Sequence, residues 1–128
     1  MILKLIRPTN DYEKQVMQYK ADMILNNDSF DGCAGLEETN SFSEWIDFDN
    51  RLKKKYGKDY VQSEVFLAVR VRDNQVVGII DFRHPLSPFL LQYGGNIGYS
   101  VLPSERRKGY ANEMLKLMLS VCKVYGEN

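Results

Sequence analysis

Cysteine is nearly missing from this 128-residue chain: Cys33 and Cys122 are the only two, far apart and without ligand-like spacing. That usage argues against a zinc site or a disulfide framework and fits a reducing compartment, with both thiols read as structural. Histidine is scarcer still, represented by His84 alone. Net charge is absent as well, since 17 basic residues balance 17 acidic ones. No overall field therefore draws the protein onto nucleic acid or an anionic membrane, and any charge-driven binding must be local. No apolar run approaches the ~20 residues that span a bilayer. Met1 to Ile6, interrupted by Lys4, is too short for the apolar part of a signal peptide. Repeats, linkers and low-complexity tracts are missing, as are the G-x-x-x-x-G-K-[ST] and G-x-G-x-x-G patterns of common nucleotide binders. The expectation is one cytoplasmic domain over residues 1–128, without metal, nucleic acid or membrane partners.

What is present is a core-forming composition, 44% hydrophobic and 12% aromatic, in periodic segments. Ile2 to Ile6 reads as a short strand ended by Arg7-Pro8, with Thr9 or Asn10 available to cap a helix whose apolar face is Tyr12, Val16, Tyr19 and Met23. Asn26-Asn27-Asp28 ends that helix. The polar segment from Ser29 to Asn40 carries Gly32 and Gly35, and Asp28, Asp31, Glu37 and Glu38 make it acidic. Ser41 and Glu44 have capping-box spacing ahead of a second helix built on Trp45, Phe48, Leu52 and Tyr56, stopping at Gly57. Val65 to Val71 and Val76 to Arg83 form a hairpin around Asp73-Asn74. Beyond Pro85, Pro88 and Gly94-Gly95, Asn96 to Leu102 reads as a further strand with Gly98 inside it, marking a bulge or a close contact with another chain or a ligand. A third helix follows with a buried stripe of Ala111, Leu115, Met118 and Cys122, flanked by Met114 and Leu119, and stops near Gly126.

The most informative stretch joins that last strand to the third helix. Arg106, Arg107 and Lys108 sit where a helix begins, and cations there oppose the positive end of its dipole unless something negative lies between them. A phosphate resolves the conflict and meets the unbonded amide hydrogens of a helix start. The plainer alternative is a solvated basic turn.

Read together, Arg106-x-x-Gly109-x-Ala111, placed after a strand and before an amphipathic helix, resembles the motif of the GNAT family of N-acetyltransferases, and the likeness of element order spans nearly the whole chain. The resemblance implies an α/β (α+β) fold: a mixed, mostly antiparallel central sheet flanked by helices, here truncated after the third major helix. It implies acetyl-CoA as co-substrate, with Arg106, Arg107, Lys108, Gly109, Tyr110, Ala111 and Asn112 around the coenzyme A diphosphate. It also implies main-chain hydrogen bonds from Val101 and Leu102 to the pantetheine arm, and Gly98 as a bulge that opens the slot. Members of the family usually continue into another strand and helix. The chain is accordingly expected to be a fragment whose open sheet edge invites pairing, including a homodimer.

The implied activity is transfer of an acetyl group from acetyl-CoA to a primary amine of a small molecule or peptide. The alternative is a non-catalytic coenzyme A-binding or protein-interaction module. His84 is the candidate general base, because its ordinary pKa near 6.5 suits proton transfer at neutral pH; a surface or capping histidine beside Pro85 is the plainer account. Asp81 and Arg83 share a strand face and read as an ion pair. Tyr99 lies on the coenzyme strand, where an aromatic is more often core than ligand. The acidic loop could attract a cationic amine or simply be solvated.

Overall fold

The computed structural model describes residues 2–53, 62–84 and 97–126. Within them the chain forms β1 (Leu3–Ile6), α1 (Glu13–Leu25), α2 (Phe42–Lys53), β2 (Gln62–Arg70), β3 (Gln75–His84), β4 (Ile97–Val101) and α3 (Tyr110–Gly126). The strands pair antiparallel in the order β1-β2-β3-β4. Strands rich in valine and isoleucine suit a pleat covered on both sides, which is why β2 and β3 read as near-continuous apolar runs rather than as a clean alternation.

Two cores result. Val65, Leu67, Val69, Val76 and Ile79 pack with Val16, Tyr19 and Met23 of α1 and with Phe42 and Trp45 of α2. On the opposite face, Ala68, Val77, Ile80, Phe82 and Val101 pack with Tyr110, Met114 and Met118 of α3. Each fully buried large side chain contributes roughly 1.5–3 kcal/mol of transfer free energy. Among the described residues no helix is long and apolar enough to cross a membrane.

Local signals account for the helix ends. Thr9 has extended backbone ahead of a single 3-10 turn, Asn10–Tyr12, but its side chain makes no capping bond. Asn27 turns left-handed (φ 52°) after α1. At α2 the Glu44 amide donates to Ser41 Oγ at 3.1 Å, one half of a capping box. Tyr56, Gly57, Pro85, Pro88, Gly94, Gly95 and Asn96 lie outside the described residues.

The stripe of α3 is rotated from the sequence expectation. Tyr110, Met114 and Met118 face the sheet, Ala111 and Leu115 are half-buried, and Leu119 is exposed. The physical reason is polar as much as apolar: the Tyr110 hydroxyl contacts Arg70, and Glu113 Oε2 accepts the amide of Leu3 at 2.7 Å, which ties the helix to β1.

The interior glycine of β4 also has a different cause from the bulge expected. The β3–β4 ladder runs in register from Gly78↔Val101 to Phe82↔Ile97, and the described irregularity lies between Ala68 and Val69 of β2. Gly98 is a crossing point, where the backbone of the α1–α2 loop passes over β4. A Cβ on Gly32 would lie 2.5 Å from the Gly98 carbonyl oxygen, and one on Gly98 would lie 3.0 Å from the Gly32 nitrogen. Gly32 is left-handed as well, with φ 78°. Gly32→Ala therefore meets both a backbone clash and a conformational penalty, and is expected to cost at least about 2 kcal/mol. Urea unfolding of the variant checks this; an unchanged midpoint would mean that the loop does not cross the strand.

Candidate functional site

Below the sheet's last strand the chain makes a sharp change of direction. Leu102 extends the ladder by one bond, its amide donating to Val77 O at 2.8 Å, and Pro103–Glu105 then form a 3-10 turn closed by Glu105 N to Leu102 O at 2.9 Å. Arg106 is extended, Arg107 (φ 65°) and Gly109 (φ 81°) are left-handed, and α3 starts at Tyr110. Its first helical bond runs from Glu113 N to Gly109 O at 3.3 Å. Tyr110, Ala111 and Asn112 precede that bond, so their amides have no acceptor within the helix. Among the described residues no protein acceptor takes any amide from Arg107 to Asn112. They border a concavity of about 240 Å³ lined by Val101, Glu105, Arg106, Arg107, Gly109 and the first three residues of α3. A Cβ on Gly109 would meet nothing within 4 Å, so this bend presents bare backbone to open space.

The side chains behave differently from the amides. Arg106 folds back, donating through Nε to Val101 O at 3.1 Å and through Nη1 to Asp28 Oδ1 at 3.1 Å. Lys108 Nζ binds Glu105 Oε1 at 2.8 Å. Two of the three cations that oppose the helix dipole are thus matched by carboxylates of the chain itself. Arg107 has no ion-pair partner among the described residues, and its side chain is exposed. An external anion would find bare amides and one uncommitted guanidinium, with Arg106 acting as a clip between the acidic loop and the end of β4.

Glu105 is the hub of this turn. Besides Lys108 it accepts Arg70 Nη1 at 2.7 Å, and these two cations, Lys108 foremost, hold its carboxyl below the usual glutamate range. Arg70 also binds both oxygens of Asp73 and the Tyr110 hydroxyl; these contacts raise its pKa further, and they hold the Asp73 carboxyl low. Sequence reading missed Arg70, although a lone cation in a run otherwise built for a buried strand signals that it must have a partner.

The other sequence candidates are scattered. Since Leu102 is hydrogen-bonded to Val77, ladder alternation turns the peptide groups of Val101 and Tyr99 away from β3, towards the outer edge of β4. Among the described residues nothing accepts the Val101 amide. Leu102 differs, because both its backbone groups are taken by Val77 and Glu105. Tyr99 is surface rather than core, at 39% exposure. Asp81 is buried beside Gly98, whose amide lies 3.3 Å from its Oδ1, while the Arg83 side chain lies outside the described residues. His84 closes β3 opposite Gln62, and its side chain is likewise outside the described residues. Its backbone stands six residues along β3 from Gly78, the partner of Val101, or roughly 20 Å at strand rise. The structure therefore does not bring His84 to the basic turn.

A buried polar trio lies under the crossing loop. The Tyr19 hydroxyl is 2.8 Å from Ser100 Oγ, and Cys33 Sγ is 3.3 Å from the same oxygen. Burial raises the tyrosine pKa and pushes the Cys33 thiol up to about 12, so both stay protonated at neutral pH. Cys33 is a core residue, its carbonyl accepting Trp45 Nε1 at 2.8 Å. Among the described residues no group of three or more His, Cys, Asp and Glu side chains could hold a metal ion.

The hub gives an acid-lability signature. A carboxyl with a depressed folded pKa contributes stability that is fully present above its unfolded value, near 4.3 for glutamate, and is lost as pH falls through the folded value. Melting temperature is expected to fall below about pH 4.5, and Glu105→Gln is expected to be less stable at pH 7 with a shallower decline in acid; Asp73 keeps a residual slope. A variant whose acid profile parallels that of the native chain would remove Glu105 from this role.

Comparison with known proteins gives one finding of family. Residues 13–126 match the Acetyltransferase (GNAT) domain, a range that contains the motif turn and every helix described. Neither the curated proteins nor the solved structures give a significant match. The matched span, the antiparallel sheet between helices and the strand–turn–helix at Arg106-x-x-Gly109-x-Ala111 agree with one another: the chain belongs to the GNAT family of acetyltransferases.

Proposed function

We propose that the protein transfers an acetyl group from acetyl-CoA to a primary amine of a small molecule or peptide, by direct transfer. The observation that carries this reading is the set of amides from Arg107 to Asn112, without an acceptor among the described residues, around the bare backbone of Gly109. These residues fit a diphosphate: several N–H donors, a helix start and no side chain in the way. Arg107 adds charge, and the outward amide of Val101 suits an amide of the pantetheine arm laid along β4. The coenzyme supplies the activated acyl group. The chain must hold it, exclude water and accept the proton of the amine. His84 is retained as the candidate for that last task, and the acidic segment with Asp31, Glu37 and Glu38 as the side from which a cationic acceptor is drawn. Cysteine usage favours a reducing, cytoplasmic setting.

Coenzyme A is expected to raise the melting temperature by several degrees at 100-fold excess over Kd, equivalent to about 2.7 kcal/mol. Gly109→Ala is expected to lose about 1–2 kcal/mol of stability through its left-handed backbone. It should also weaken coenzyme A at least tenfold, because the new methyl group occupies the space offered to the ligand. Arg107→Gly removes a non-glycine left-handed residue, so stability should stay within about 1 kcal/mol of native while coenzyme A binding weakens. Release of free thiol from acetyl-CoA with a panel of amines tests turnover. Binding without turnover supports the coenzyme-holding module instead, and no binding at millimolar acetyl-CoA removes both readings.

A further inference from the structure

Arg70 is an arginine at the end of a strand, 6% exposed, and its interactions converge on three separate pieces of chain. Nε and Nη2 grip the two oxygens of Asp73 at 3.0 and 2.7 Å, in the turn between β2 and β3. Nη1 donates to Glu105 Oε1 at 2.7 Å and to the Tyr110 hydroxyl at 3.1 Å. Glu105 is the last residue before the basic turn and Tyr110 the first after it. One nitrogen atom thus holds both ends of the segment Arg106 to Gly109. Within that segment Arg107 adopts a left-handed conformation, which costs an ordinary residue about 1–2 kcal/mol and persists only where the surroundings over-determine it.

The anchor is itself fixed. Asp73 Oδ1 also accepts the Gln75 amide, and the adjoining Asn74 receives the Tyr12 hydroxyl on its side-chain oxygen and Gln15 Nε2 on its backbone carbonyl. The hairpin turn is pinned to α1, and Arg70 transmits that fixed position to the basic turn. Lysine cannot replace it, because an ammonium has no planar fork with which to bind Asp73 bidentately while reaching two further acceptors.

We propose that Arg70 is the positioning residue of the diphosphate turn: by holding Glu105 and Tyr110 on one guanidinium nitrogen, it sets the spacing at which the amides between them meet the ligand. The inference rests on the coenzyme reading above and adds a residue that the motif does not contain. Arg70 is not among the residues that line the concavity; it acts through the spacing of the two residues it holds.

The test compares the native chain with Tyr110→Phe, which deletes the 3.1 Å contact while keeping the ring, and with Arg70→Lys. Dissociation constants for coenzyme A and for inorganic pyrophosphate are measured at a temperature where urea titration shows each protein fully folded. Tyr110→Phe is expected to weaken both ligands by about threefold to tenfold, the range for one hydrogen bond. Arg70→Lys is expected to weaken both by more. Equal factors for the two ligands locate the loss at the diphosphate. A role confined to stability would lower the melting temperature and leave the constants of the folded protein unchanged, and that result overturns the assignment. So does a loss for coenzyme A that pyrophosphate does not share. Should Arg70→Lys not fold, Tyr110→Phe decides alone. A native chain that binds neither ligand overturns the coenzyme reading and this inference together, and is told apart because the failure precedes any substitution.

Discussion

A helix cannot satisfy its own first amide hydrogens, and the organisation of this molecule around the start of α3 follows from that constraint. Many helices meet it with a capping side chain. Here the turn before the helix carries no such cap among the described residues, and two left-handed residues, Arg107 and Gly109, keep the backbone bare. The other charged side chains of this turn are paired within the chain. Arg106 is spent on Asp28 and the Val101 carbonyl, Lys108 and Arg70 on Glu105, and Tyr110 on Arg70. Asp28 and Glu105, the carboxylates that could have met the positive helix start from within, are thereby occupied.

This arrangement separates two jobs that a motif alone merges. In the sequence, Arg106, Arg107 and Lys108 look like one basic patch. In the fold they are a clip, a charge without an ion-pair partner among the described residues, and an internal ion pair. Affinity for an anion then depends less on the number of positive residues than on the geometry of amides whose orientation is set by residues far along the chain. The neutral overall charge of the protein suits such a site, since attraction need act only over the last few ångströms.

Much of the fold was legible because it is written in local chemistry. The steps between Val16, Tyr19 and Met23, the Ser41/Glu44 spacing and the Asp73-Asn74 turn each depend on residues within one or two turns of each other, and each is seen where the periodicity places it. The motif turn was legible for the same reason. Contacts between distant segments were not. Arg70 and Glu105 are 35 positions apart, and Cys33 and Ser100 are 67 apart. The rotation of α3 by about one position follows from Tyr110 reaching Arg70, which helical periodicity cannot report. Gly98 was correctly singled out and wrongly explained: a missing side chain announces that something comes close, but not what.

The crossing of Gly32 over Gly98 sets peptide directly against peptide. Such a contact has no rotamers with which to adapt, so neither position can acquire a side chain while its partner stays in place. Descendants of this sequence can vary the exposed carboxylates Glu37 and Glu38 more readily than the crossing itself, because they must carry the two glycines as a linked pair or abandon the crossover altogether.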